Sequence, residues 1–546
     1  MTMNNKMKIE KHYKIIVIIF FIGYLFTGLI LFNDYGLSWD EIIQRDIGIM
    51  NYKYITEGDQ KLIGDPDKYH GPFFELLLFT LEIGLNGLRG GDAYLDSRTV
   101  YFLRHLVTFV MFYISVFFFY LLCKHRFNSW KVGLLGSLFL ILSPRIFAHS
   151  FYNPKDLPFL SMFIISIYTL VKFLEKKSVL RASMHALACA ILIDIRMMGI
   201  LVPLFTLFFT AIDLFEPKRS PIEKKKSIPG LLSYLFLLVS FIILFWPILW
   251  EGPVYHFIEA FKDSSRHPWI EDVLYLGQYI NATNIPWHYT PVWMTITTPP
   301  LYLGTFFIGL ISSFSSMIKN PITSTLIHPM RQDFIFLSWL FLPLFVVIVL
   351  NSVLYDGYRH MFFIYPALLM ISLRGLTSVF EFCKRKLKGQ LLKRINMTLM
   401  IIILFGLFPT TLFMVKNHPF QNVYFNRLAG KDMKSVKNNF ELDYWGLSYR
   451  KALEYILNND DSDIVAIYPA QLAGIFTRDI LKAEHKYRLK CVRNTGEAKY
   501  FVSNFRWHKE EYPYEDEFFS IRIRGTRIIV VYRLEEKNDQ NLRADT

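Results

Sequence analysis

Residues 14–41 read KIIVIIFFIGYLFTGLILFNDYGLSWDE, and their reading decides both the class of fold and where to look for its chemistry. From Ile15 to Phe32 the run is uncharged and almost wholly apolar, long enough to cross the hydrocarbon core of a bilayer as a helix. Lys6, Lys8, Lys11 and Lys14 precede it, so the positive-inside bias predicts a cytoplasmic N-terminus. The run is long for a signal-peptide core and no small-residue cleavage site follows, which predicts an uncleaved first span. Just beyond it, Ser38 with Glu41 three residues later forms a capping box, so a helix is expected to start here and run toward Ile55. Asp40 falls in the first turn of that helix, where the dipole favours an ionised carboxylate. It either compensates the dipole or accepts a proton from a hydroxyl.

Working outward, the whole chain repeats the same pattern. Of its 546 residues, 53% are hydrophobic and 19% charged, below the roughly one quarter charged that soluble domains carry. The net charge of +14 could suggest nucleic acid, but the basic residues cluster in short loops between apolar runs, which is an orientation signal. Alternating basic and acidic loops predict about eleven spans, with a long acidic outer segment at 33–98 and a second outer loop at 251–298. The stretch 182–214 is short for two passes and is read as two short helices meeting near Asp194 to Gly199. Residues 1–415 form the membrane domain on this reading. An odd number of spans places 416–536 outside, where strand-like runs at 464–468, 500–502 and 528–532 and a helical pattern from Ser448 to Leu457 predict a small α/β domain. Residues 537–546 read as a disordered tail. Among the four cysteines, only Cys491 falls in the outer domain, and none shows a metal-ligand spacing. No Walker motif and no strand followed by G-x-G-x-x-G is present. No internal repeat of the transporter kind is visible.

The candidate site residues gather at outer ends of spans. Asn153-Pro154-Lys155-Asp156-Leu157-Pro158 is a rigid turn presenting a cation and an anion, or a helix start capped by Asp156. Arg104 and His105 lie just inside span two, where charges face a polar cavity or snorkel to the interface. Arg196, Arg359 and His360 stand on the face that positive-inside bias disfavours. Several cations on one face suit an anionic ligand, and the planar fork of Arg suits phosphate. Tyr69-His70-Gly71-Pro72 opens an apolar run, Phe73 to Ile83, too short to span and read as interfacial or re-entrant, with His70 structural or substrate-facing. The aromatic stretch from Ile285 to Trp293 is expected to be an interfacial belt.

With those residues placed, the chain resembles glycosyltransferase family 39, the protein O-mannosyltransferase and aminoarabinose transferase group of the GT-C membrane fold. Asp40-Glu41 resembles the family's Asp-Glu pair in the first outer loop, and His70-Gly71-Pro72-Phe73-Phe74-Glu75-Leu76-Leu77 is similar to its His-Pro-Pro segment. Arg104 and Asp156 fall where the family carries a span-two Arg and a second outer acidic residue. Leu142 to Arg145, Tyr355 to His360 and Phe440 to Trp445 resemble bacterial phospholipid-carrier-dependent members. The sequence departs from the pattern at Gly71, for the first Pro, and at Glu75, where a Lys is usual. Its extra domain also follows the last span instead of interrupting a loop. The resemblance implies an integral protein of a bacterial-type inner membrane, acting in the cell envelope as an inverting transferase. The donor would be a polyprenyl-phosphate sugar and the acceptor a protein hydroxyl, lipid or glycan. It implies Asp40 as base, with Glu41, His70, Arg104 and Asp156 in the site, and the outer-end residues Lys155, Arg196, Arg359 and His360 are the further candidates for binding substrate. No cofactor is firmly implied, and a divalent metal at Asp40, Glu41 and Asp156 stays open. The competing class is a transporter or flippase of lipid-linked sugars; a catalytically dead scaffold is a third.

Overall fold

A computed structural model describes residues 3–89, 95–216, 220–265, 269–319 and 330–534. The expected tail at 537–546 lies outside the described residues. Among those described, nine helices are long and apolar enough to cross a membrane, beginning with Tyr13–Leu31 and ending with Gly389–Lys416. A tenth candidate is the pair Trp130–Ile141 and Pro144–Tyr152, bent by 70°. Pro144 lacks the amide that would continue the first helix, so the chain turns there. The expected eleven are reached only when that pair and the 17-residue helix Val179–Ile195 are both counted. The helix break expected between residues 194 and 199 falls at Arg196, after which a 3₁₀ turn leads into Leu201–Phe215.

The outward faces of these helices are apolar. On the first, Ile15, Ile18, Ile19, Phe26 and Ile30 are exposed, and Phe236, Phe405 and Phe408 show the same elsewhere. Faces of this size are unfavourable in water and natural against lipid tails. Inside the bundle, Pro300–Lys319 and Arg359–Lys386 cross at Gly309 and Gly375. A Cβ on either glycine would meet the other helix's backbone carbonyl at 1.9 Å, so only hydrogen lets the two backbones approach this closely.

One face of the bundle, the one expected to lie outside, carries the first outer segment, a hairpin and the C-terminal domain. Trp39–Glu57 and Phe73–Leu88 lie against each other in the first segment. The hairpin, β1 (Asp272–Tyr275) and β2 (Gln278–Asn281), lies in the second outer loop. The C-terminal sheet holds β3 (Val465–Pro469), β4 (Leu489–Cys491), β5 (Tyr500–Ser503), β6 (Glu517–Ile523) and β7 (Thr526–Arg533) in the order β4-β3-β5-β7-β6. The first three are parallel and the last two antiparallel. The helix Tyr449–Asn459 packs its apolar face on this sheet around Leu453 and Ile456. Sequence patterning found β3, β5 and β7; it missed β4 and β6, which are short or half-exposed edges with no clean alternation. The domain is tied to the first outer segment by Arg450, whose Nη1 donates to the carbonyls of Asn33 at 2.6 Å and Tyr35 at 2.7 Å.

Candidate active site

Asp40 and Glu41 are adjacent in sequence and do opposite things. Glu41 closes the capping box, accepting from the Ser38 backbone N–H at 2.7 Å, and its other oxygen lies 2.9 Å from His105 Nε2. It is buried beneath the helix start. Asp40 points the other way, with its side chain 22% exposed and its Oδ2 accepting from Arg359 Nη1 at 3.0 Å. Burial raises the Asp40 carboxyl above the ordinary range, and the Arg359 charge only partly offsets this.

Arg359 is the hub. Its Nη1 also reaches Asp156 at 3.2 Å, and its Nε reaches Asp356 at 3.2 Å. The guanidinium also lies 4.8 and 4.9 Å from the ring centroids of Tyr355 and Trp445, within cation–π distance of both. Asp156 is further held by Arg196 and by Asn153 Nδ2 at 3.0 Å. Asp356 accepts from Trp445 Nε1 at 3.0 Å and pairs with Arg506 at 2.8 Å. Asp40, Asp156 and Asp356 thus face Arg196, Arg359 and Arg506, and the cluster is close to neutral by itself.

One cation stands beside it without a counter-ion. Lys155 is buried, and among the described residues no carboxylate lies within ion-pair distance of it. Its Nζ donates to the Gly71 carbonyl at 3.3 Å. Burial, with repulsion from Arg196, pushes its ammonium down to about 8. Arg196 keeps its Nε unpartnered. An incoming anion would therefore find donors on Lys155 and Arg196, whereas Arg359 Nε and Nη1 already face carboxylates.

The remaining expected residues divide. His360 lies at the edge of the cluster, its ring 4.6 Å from that of Tyr355. His70 turns to Asp67 at 3.3 Å, and only its neighbour Gly71 touches the site. Arg104 is placed elsewhere: it is fully buried and held by Glu75 and Glu82. Its Nη atoms face those two carboxylates and not the Arg359 cluster, and its Nε has no partner. Both sequence departures acquire a reason. Glu75 is Arg104's counter-ion, and a Cβ at position 71 would sit 1.2 Å from the Asp194 carbonyl, so a Pro does not fit there. Asp194 instead caps the next helix, its Oδ1 accepting from the Phe73 N–H at 2.7 Å. Glu41, turned inward, does not join Asp40 and Asp156 as the metal set considered above. Among the described residues no group of three His, Cys, Asp or Glu is arranged around a common metal position. The expected aromatic belt is also revised: Trp287 is exposed, but Trp293 is buried against Arg145, whose guanidinium lies 5.3 Å from its ring.

Asp356 and Trp445 lie in segments that carried the resemblance but were not named as site residues, and Arg506 was in no such segment. Asp356 had a signal, sitting three residues before Arg359 in the same outer turn. Arg506 had none, because its contact spans 150 positions of sequence.

The described residues thus form a multi-span helical body with a carboxylate–guanidinium centre on the face that a small sheet domain covers, and the family match below supports glycosyltransferase activity. Residues 101–249, which carry Arg104, Asp156 and Arg196, match the model of the dolichyl-phosphate-mannose-protein mannosyltransferase family, and the resemblance to glycosyltransferase family 39 is borne out over that stretch. The solved structure of ArnT from Cupriavidus metallidurans bound to undecaprenyl phosphate aligns with TM-score 0.45 and 12% identity, covering 94% of this chain and 97% of that one. Its apo form aligns with TM-score 0.41 and 9% identity over the same shares. No curated protein matches significantly in sequence.

Proposed function

We propose that this protein moves a sugar from a polyprenyl-phosphate carrier to a hydroxyl outside the cytoplasm, inverting the anomeric carbon. The observation that carries the reading is a single centre holding a partly exposed carboxylate, Asp40, beside a buried lysine without a counter-ion, Lys155. The matched family's description, which names a dolichyl-phosphate sugar, supports the same donor class. In the reaction the acceptor oxygen attacks the anomeric carbon while the bond from that carbon to the phosphate oxygen breaks. Asp40 takes the acceptor's proton, and Lys155 and Arg196 hold the departing phosphate, which needs charge stabilisation and no protein acid. Arg359 keeps Asp40 and Asp156 oriented. Residues 1–415 are the membrane catalytic domain on this proposal, with the N-terminus in the cytoplasm, and 416–536 are the extracytoplasmic domain.

The test is release of polyprenyl phosphate from a polyprenyl-phosphate sugar by purified protein in vesicles supplied with envelope extract as acceptor. The expected result is acceptor labelling with that donor and none with nucleotide sugars. Efficient use of a nucleotide sugar by carrier-free protein would refute the proposal. Transbilayer movement of uncleaved donor would favour the flippase instead.

A further inference from the structure

A cleft of about 480 Å³ opens beside the Asp40 centre, where the first outer segment, the second outer loop and the C-terminal domain meet. Trp39, Trp269 and Trp507 line it together with Glu271, Gln471 and Leu472. Its connection to the base is direct. Trp39 precedes Asp40 in sequence, and Trp269 stacks on Tyr355 at 4.1 Å between centroids. Tyr355 in turn lies within cation–π distance of the guanidinium that Asp40 accepts from.

The sheet gives a second, independent reason to expect a ligand here. β3 and β5 are parallel neighbours, and the chain leaves β3 for β4 on one side and reaches β5 on the other. Ligands of open α/β sheets bind outside the carboxyl ends of strands at such a reversal. The segments following those two ends supply Gln471 and Leu472 from β3 and Trp507 from β5. Phe505 and Trp507 are held at φ of 62° and 57°, a region that bulky residues rarely adopt. Trp507 is fixed there by its indole N–H, which donates to the Asp272 carbonyl at 2.8 Å. Strain of this kind clusters at binding sites.

Resting on the transferase reading, we propose that this cleft is the acceptor site and that it takes a carbohydrate chain. Indole faces match the apolar C–H faces of sugar rings, and Glu271 with Gln471 can bond the hydroxyls at their edges. Among the described residues the lining includes no Lys or Arg, which favours a neutral acceptor over a phosphorylated one. An extended peptide would seek a free strand edge, and the edges of this sheet are β4 and β6, neither of which lines the cleft.

The experiment uses the full-length protein in lipid nanodiscs with chitohexaose, cellohexaose and maltohexaose as probes. Binding is read by tryptophan fluorescence and calorimetry without donor. At least one probe should bind, and Trp507→Ala and Leu472→Arg should each weaken it at least tenfold. Leu472 is 51% exposed, so its replacement blocks the cleft without disturbing packing. With polyprenyl-phosphate sugar present, both variants should raise the acceptor KM at least tenfold and leave the donor KM unchanged. Absence of binding by all three probes, with envelope labelling unaffected by Leu472→Arg, would overturn the proposal. Donor-dependent transfer to a Ser/Thr peptide that ignores both variants would also overturn it while leaving the transferase reading intact. Probe binding without donor cleavage in any preparation would keep the carbohydrate site and remove the transferase.

Discussion

Asp40→Asn and Glu41→Gln differ by one position and should separate completely. Asn at 40 keeps the shape and can still accept from Arg359 Nη1, but it cannot take a proton. Arg359 retains Asp156 and Asp356, so the hub should hold together. Burial disfavours the Asp40 charge, so neutralising it should leave the melting temperature unchanged or slightly raised. The loss falls on the chemical step: about 10²–10⁴-fold in kcat, or roughly 3–5 kcal/mol, with the donor KM nearly unchanged. Glu41→Gln still accepts the Ser38 N–H and so keeps the capping box, whereas Glu41→Ala should cost about 0.5–2 kcal/mol of stability. The assay is polyprenyl-phosphate release at matched protein level across pH. Wild-type kcat should rise with pH through a pKa above the ordinary carboxylate range, because only the deprotonated base works. The Asn variant should lack that limb. If Asp40→Asn turns over within a few-fold of wild type, or if Glu41→Gln is dead while Asp40→Asn works, the division of labour argued here is wrong.

The free enzyme should lose kcat/KM for donor as pH rises through about 8, where Lys155 loses its charge, and Lys155→Arg should abolish that limb. Because this lysine binds fewer protons folded than unfolded between about 8 and its ordinary value, its burial penalty should fade over that window, and stability at this site should rise with pH. Arg506→Ala, which strips a buried partner from Asp356, should cost about 3–5 kcal/mol by thermal unfolding, and adding Asp356→Asn should restore part of it. Arg104→Met should lose stability by a similar amount through Glu75 and Glu82, while the fraction that folds keeps its donor KM; a selective rise in donor KM would return Arg104 to the substrate. In intact cells a membrane-impermeant maleimide should label Cys491 and spare Cys383, both partly exposed; labelling of Cys383 alone would invert the topology.

What was legible in the sequence is what depends on local pattern. Apolar runs gave the spans, because a bilayer demands about 20 uncharged residues whatever surrounds them. The capping box located the start of Trp39–Glu57 and separated Glu41 from Asp40, since both facts lie within four residues. What depends on which distant groups meet was not legible. Arg104 and Arg359 look alike as lone arginines at outer ends of spans, yet one is consumed by Glu75 and Glu82 and the other organises the centre. The distinguishing partners lie 22 to 319 residues away. The cleft was invisible for the same reason. Trp39, Trp269 and Trp507 are far apart in sequence and meet only where the C-terminal domain lies against the first outer segment.

That folding back explains why a domain after the last span can belong to a centre that includes residue 40. Asp356 is buried and needs more than Arg359 to hold its charge, and Arg506 and Trp445 supply the rest. Trp445 also lies within cation–π distance of the Arg359 guanidinium, as Tyr355 does. Without those contacts Arg359 would have Asp356 to satisfy alone, and its hold on Asp40 would compete with water. The domain therefore does two jobs through neighbouring residues of one strained loop. Arg506 stiffens the centre from behind, and Trp507 faces the cleft from which an acceptor would arrive. On the acceptor-site proposal, the residue that would meet the acceptor is thus the immediate neighbour of the residue that pairs with Asp356.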